Sequence, residues 1–316
     1  MTTRRARAGC RGRGVPVVVA VFATCMGACA RGIAPPPEPD GTGAFAHLEA
    51  QVAFGPRTPG SVASERCREY LFEQLAQYTA YVGAQSFTLR DPYGPDSLRL
   101  VNVLAHFYRE RAKRVLLAAH YDSRPRADRD SGAARERAVP GANDGASGVA
   151  VLLDVARVLS AWDPGVGVDL VFFDGEDYGQ ESDHDYYLLG SRHFVQTMGT
   201  YRPYAMLLLD MVGDADLRIP MEEYSRTEAP RLTQLVFDVA DSLQAPGFVR
   251  EDGEAVFDDH VPFLARGIPA IDLIDFEYPA WHTTADLPER CAPGSLESVA
   301  RVVLNTLHRL GRGAVL

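Results

Sequence analysis

Residues 114–122 read Arg114-Val-Leu-Leu-Ala-Ala-His120-Tyr-Asp122. An uninterrupted apolar run that ends in metal-binding side chains describes a strand covered on both faces, because a strand with one wet face would alternate. Further mainly apolar runs stand at Val168–Phe173, broken by Asp169, at Tyr204–Leu209, and at Ile268–Leu273, broken by Asp272. Helical periodicity covers Val62–Tyr78, opened by Pro59-Gly60-Ser61, then Gly145–Ser160, Arg231–Leu243 and Ser295–Leu310. Gln85–Leu89 and Leu98–Phe107 read as neighbouring strands joined by the turn-rich Asp91-Pro92-Tyr93-Gly94-Pro95. Strands alternating with helices predict an α/β domain built on a largely parallel, doubly covered sheet. In such sheets ligands gather at the carboxyl ends of strands.

The polar residues at those ends form five separated patches: His120-Tyr121-Asp122, Asn143-Asp144, Glu176-Asp177, Asp210 and Trp281-His282. Two histidines and a surplus of carboxylates converging on one end of a sheet are what a zinc site requires. Each patch alone also has a plainer reading. His120 is a ligand whose second ring nitrogen Asp122 orients, or a strand-capping histidine beside a surface acid. Asp144 is a ligand, or the cap of the helix that follows Gly145. Glu176 and Asp177 are a ligand and a proton carrier held side by side, or a solvated acidic turn. Asp210 and His282 are ligands, or a strand-end acid and a surface histidine. His47, His106, His184 and His308 read as surface or packing residues, and His193 carries no chemistry.

The ends of the chain address its location. Arg4, Arg5, Arg7, Arg11 and Arg13 precede the apolar Val17–Ala23, and Met26-Gly27-Ala28 places small residues before Cys29. This order predicts a signal segment over residues 1–29, with Cys29 the candidate lipidation site. The expected protein is therefore exported and bacterial, in the periplasm or cell envelope, with an N-terminal lipid anchor as its one contact with a membrane. Losing residues 1–28 removes five arginines and no acid, taking the formal charge from −10 to −15. So acidic a surface argues against a nucleic-acid partner. Residues 30–44, with Pro35-Pro36-Pro37, read as a Pro-rich tether, and residues 45–316 as the catalytic domain. Export to an oxidising compartment predicts a Cys67–Cys291 disulfide, with two buried thiols as the alternative.

Taken together, the ordered series histidine, aspartate, acid pair, aspartate, histidine resembles the ligand series of the aminopeptidase-type zinc exopeptidases, metallopeptidase family 28. The resemblance spans roughly Phe54 to Leu310. It implies a mixed, mostly parallel central sheet flanked by helices in one domain, the zinc aminopeptidase or phosphorylase/hydrolase-like fold. Within that superfamily His120-Tyr-Asp-Ser123, Phe172-Phe-Asp-Gly-Glu-Asp177, Gly190-Ser-Arg-His193, Asp258-Asp-His-Val-Pro-Phe263 and Trp281-His-Thr283 look most like the animal-type glutaminyl cyclases and their bacterial relatives. Arg124, Pro125 and Asp128 resemble the bacterial branch. These enzymes convert an N-terminal glutamine to pyroglutamate and release ammonia.

The resemblance implies that Asp144, Asp177 and His282 hold one zinc and that Glu176 shuttles the proton. It further implies that Asp210 and Asp258 pair beside the shuttle and that Trp281 walls the pocket, with Phe263, Tyr278 or Phe276 excluding water. Three positions depart from the pattern: aspartate stands at 177 where animal cyclases have glutamate, Asp272 replaces a histidine, and Ala119 replaces the first of a cysteine pair. The shorter Asp177 leaves open that Glu176 is the ligand instead. The alternative is an aminopeptidase with two zinc ions, His120 and Asp210 completing a second site and Glu176 serving as general base. Either enzyme acts on peptide or protein N-termini. An inactive exported binding module is the third reading.

Overall fold

Backbone propensity and burial divide the described residues into eight α-helices and eight strands. In the computed structural model these are α1 (Gly41–Ala53), α2 (Val62–Ala76), β1 (Val82–Arg90), β2 (Ser97–Phe107), β3 (Arg114–His120), α3 (Ala146–Leu159), β4 (Gly167–Phe173) and α4 (Leu189–Thr197). There follow β5 (Ala205–Asp210), β6 (Ile219–Met221), α5 (Glu223–Glu228), α6 (Pro230–Leu243), β7 (Phe248–Asp252), α7 (Val261–Leu264), β8 (Ala270–Ile274) and α8 (Pro293–Gly311). The structure describes residues 1–3, 9, 33–180 and 183–316. The signal segment and Cys29 lie outside the described residues, apart from a few positions at its start. Residues 33–316 form one unit, and no helix among the described residues is long and apolar enough to cross a membrane.

Six strands make the main sheet in the order β1-β2-β4-β3-β5-β8. β1 and β2 pair antiparallel, as do β2 and β4, whereas β4, β3, β5 and β8 run parallel. Side chains alternate between the two faces. Val115, Leu117 and Ala119 of β3 join the larger core, to which α1, α3, α6 and α8 contribute. Leu116 and Ala118 join the smaller one, with Phe194 of α4 and Phe263 of α7. Since β4 lies on one side of β3 and β5 on the other, the chain reverses its direction of travel across the sheet at β3. That is the position where a crevice opens above the strand ends in α/β folds. The four parallel strands all deliver their carboxyl ends to this crevice.

Two expectations need correction. The Cys67–Cys291 disulfide does not form: both cysteines are free and buried. Cys67 sits on the inner face of α2 near Arg57, and burial pushes its thiol up to about 12. Cys291 pairs with Asp214 in an isolated bridge and packs its Sγ against Gly213. Each thiol thus has its own dry surroundings rather than the other as a neighbour. The tether read over residues 30–44 is also interrupted. α1 begins at Gly41, where the Asp40 carboxylate accepts a hydrogen bond from the Gly43 amide. Further upstream the carbonyls of Ile33 and Ala34 accept from His308 and Trp162.

Candidate metal centre and pocket

β3 and β5 carry His120 and Asp210 as their last residues, and Ala118 pairs with Leu208 in register. Two residues on, the same register brings His120 Nε2 to 3.0 Å from Asp210 Oδ1 and 3.3 Å from Asp144 Oδ1. Asp144 is presented by the loop before α3. Gly141 and Gly145 flank it at φ 72° and 98°, and a Cβ on either would collide with its surroundings. After β4 the chain turns through Asp174-Gly175 into Glu176-Asp177. Both oxygens of Asp122 are engaged there, accepting from the amides of Glu176 (3.1 Å) and Asp177 (3.3 Å). Asp122 was expected only to orient His120. Its Oδ1 does lie 3.4 Å from His120 Nδ1, but its hydrogen bonds hold the acid pair.

His282 completes the set from a loop beyond β8, in a left-handed backbone conformation at φ 57°. For a residue with a Cβ that conformation costs about 1 kcal/mol or more. Its Nδ1 faces Asp128 Oδ1 at 3.2 Å, which leaves Nε2 for the crevice, 3.3 Å from Asp177 Oδ2 and 3.8 Å from Asp144 Oδ2. The buried guanidinium of Arg124 binds Asp177 and Asp128 together, so one cation ties the acid facing the crevice to the acid behind its histidine.

Donor atoms of Asp144, Asp177 and His282 all lie within 4.8 Å of one another, and so do those of His120, Asp144 and Asp210. A tetrahedral zinc with bonds of about 2.0–2.1 Å spaces its ligand atoms about 3.4 Å apart, close to the separations from His282. Asp144 Oδ2 and Asp177 Oδ2 are buried with no hydrogen-bond donor, the condition of carboxylates whose partner is a cation. The first triad therefore fits a divalent metal. It contains Asp177 rather than Glu176. Burial raises and His120 lowers the Asp144 pKa, with a net rise. Burial opposes a charged His282, yet Asp177 and Asp128 outweigh it and hold the imidazole at about 9.

Beside the triads lies a cavity of about 270 Å3. Glu176, Asp210 and Asp258 line it, together with the apolar Val256, Phe257, Ile274, Phe276 and Trp281. Trp281 lies against both Phe276 and the ring of His282, and the Arg129 guanidinium covers it at 4.8 Å. Phe263 and Tyr278, two of the expected water-excluding groups, are elsewhere: Phe263 packs in the core with Phe173 and Phe194, and Tyr278 bonds Asp286. His184, expected to be a surface or packing residue, lines the mouth with Tyr187. Burial, then Asp177 and Asp258, raises the Glu176 pKa well above its ordinary range. Burial and Asp210 do the same for Asp258, whose neighbour Asp272 is likewise raised by burial and by Asp258. Two groups escaped the sequence reading. Asp286 follows His282 by four residues in an otherwise unremarked loop, and Arg57 carried no motif at all.

The family model for peptidase family M28 matches residues 102–307. A mouse glutaminyl-peptide cyclotransferase-like protein is 30% identical over 282 residues, covering 78% of this chain and 70% of its own. The structure of Porphyromonas gingivalis glutaminyl cyclase superposes with a TM-score of 0.82 at 34% identity, over 87% of this chain and 100% of that one. A leucine aminopeptidase precursor from Bacteroides thetaiotaomicron does so at 0.83 and 32% identity, over 87% and 99%. The chain belongs to peptidase family M28 and is a zinc-dependent enzyme.

Proposed function

We propose that this enzyme is a glutaminyl-peptide cyclotransferase that converts the N-terminal glutamine of peptides to pyroglutamate with release of ammonia. The observation that carries the reading is Asp258, a buried acid lining the cavity beside Glu176 and Asp210, in a pocket that Phe276 and Trp281 also line. Hydrolysis needs water at the reacting carbon, whereas cyclisation needs water kept away and a proton passed between two nitrogens. Carboxyls crowded against one another favour holding protons, and Trp281 with Phe276 and Ile274 shields the reacting atoms. The cavity is slightly smaller than the roughly 300–1,000 Å3 of drug-sized sites, which suits one terminal residue.

Asp144, Asp177 and His282 would hold one zinc ion, which when bound supplies Lewis acidity to the γ-carbonyl oxygen of the glutamine. Glu176 accepts a proton from the substrate's α-amine as that nitrogen bonds to the side-chain amide carbon, Cδ. It returns a proton to the amide nitrogen, the C–N bond breaks, and ammonia departs. The pocket folds the glutamine back on itself, so that the attack is intramolecular and positioning supplies much of the acceleration. Burial, Asp177 and Asp258 hold Glu176 in a setting where its neutral form is accessible, and Arg124 keeps Asp177 aimed at the crevice.

The second reading, an aminopeptidase, is favoured by one specific arrangement, the His120–Asp144–Asp210 triad that offers a second ion a place. Incubation with a Gln-initiated peptide and with leucine amide separates the two. Ammonia release from the Gln-initiated peptide without backbone cleavage is expected; free leucine from leucine amide with no ammonia from the Gln-initiated peptide would overturn the cyclase reading. Export belongs to the proposal too, resting on the arginine-rich start, the Val17–Ala23 apolar run and Cys29. Labelling with radioactive palmitate tests lipidation, and an unlabelled mature protein would remove the anchor.

A further inference from the structure

The loop that presents Asp144 is gripped from two sides by a buried guanidinium and a buried carboxyl group. On one side Arg57, with no exposed surface, donates through Nη1 to the Pro140 carbonyl (2.7 Å), through Nη2 to the Gly141 carbonyl (2.5 Å) and through Nε to the Tyr121 carbonyl (3.0 Å). On the other side Asp286, equally buried, accepts from the amides of Asn143 (2.8 Å) and Asp144 (3.1 Å) and from the Tyr278 hydroxyl (2.8 Å). The guanidinium takes the loop's acceptors and the carboxyl oxygens take its donors. Asp286 also stands four residues beyond His282, so it joins the loop of one donor to the loop of another. The far side of the same loop is pinned by Asn143, whose Oδ1 accepts from the Gly213 amide and whose carbonyl accepts from Ser147.

We propose that Asp286 and Arg57 are positioning residues that clamp residues 140–144 and thereby set the affinity of the Asp144–Asp177–His282 site for its metal. Neither touches substrate or the donor atoms. Their action is to fix the backbone from which the Asp144 carboxylate projects, before any ion arrives. Groups that act behind a metal ligand in this way commonly change affinity by about 10–100-fold when altered. The inference rests on the metal-site reading above, but not on which reaction the enzyme performs.

The test is zinc affinity of the full chain, measured by competition with a chromophoric chelator. Asp286→Asn keeps the shape but turns an amide N–H toward the loop's own donors. It is expected to bind zinc at least tenfold more weakly than wild type, while its metal-free circular dichroism is unchanged. Asp286→Glu restores the carboxyl group without restoring position and is expected to recover only part of the loss. Affinity of the folded Asn variant within twofold of wild type would overturn the clamp. A second measurement needs no variant: in chelator-treated wild type, hydrogen exchange at the amides of Asn143 and Asp144 should be nearly as slow as within β3. Fast exchange at those two amides would also overturn it. Wild type that binds no zinc at all would remove the metal-site reading, and the clamp with it.

Discussion

Glu176 and Asp177 are adjacent in the chain, yet their surroundings drive them apart. Burial disfavours charge on both, but His282 and Arg124 outweigh it at Asp177 and lower its pKa. Glu176 has carboxylates for neighbours and is raised. Such divergence between paired acids separates a ligand from a proton carrier. Glu176→Gln is expected to retain zinc and to lose turnover by about a hundredfold or more, read by metal analysis beside ammonia release; a variant turning over at the wild-type rate would remove the shuttle role. Asp144→Ala is expected to lose the ion itself, and a metal-replete variant would return Asp144 to the status of a helix cap. The crevice residues were legible because His120, Glu176, Asp177 and Asp210 end or closely follow buried strands and form one ordered series with Asp144 and His282. Asp286 and Arg57 were not, because they act on backbone amides and carbonyls far away in sequence. Asp286 bonds residues 143 and 142 positions upstream, and no local pattern encodes such a partner.

Among the elements, β4 carries a charge where its neighbours are apolar. Asp169 lies within the buried strand and is met by His106 Nδ1 (2.6 Å), Arg114 Nη2 (2.6 Å) and the Tyr201 hydroxyl (2.5 Å). Burial alone would raise its pKa, but these partners outweigh it and hold the carboxyl at about 2. A folded pKa below the unfolded one adds stability that is complete above the unfolded value and fades as pH falls through the folded one. Asp169→Asn should therefore be less stable than wild type by about 2 kcal/mol near pH 7. The gap should shrink as pH drops from about 4 towards 2 in urea titrations of chelator-treated protein. A gap independent of pH would show that the network acts through packing alone. Strands and helices with strong periodicity were readable to within a few residues, as α3 and α6 illustrate. α1 was missed because its inner face is Gly41, Ala44, Leu48 and Gln51, too weakly apolar to stand out after a proline run. The short β6, β7 and α5 have patterns too brief to read before their partners are known.

At the scale of the molecule, the three donors of the fitted site stand at positions 144, 177 and 282, on loops that leave different elements around the crevice. An ion held by all three ties the loop before α3, the turn after β4 and the segment beyond β8 to one point. No equivalent constraint exists in the unfolded chain, so binding free energy becomes folding free energy. The thermal transition should rise with the logarithm of free zinc, with roughly 2.7 kcal/mol of added stability at a hundredfold excess over Kd. Asp144→Ala should show no such dependence, even where its metal-free transition matches that of metal-free wild type. That comparison separates the ion's contribution from damage to the fold, because it asks for loss of a slope rather than loss of stability. A wild-type transition indifferent to free zinc would mean that the buried, unpartnered oxygens of Asp144 and Asp177 have some other occupant, and the catalytic assignment would fall with the metal.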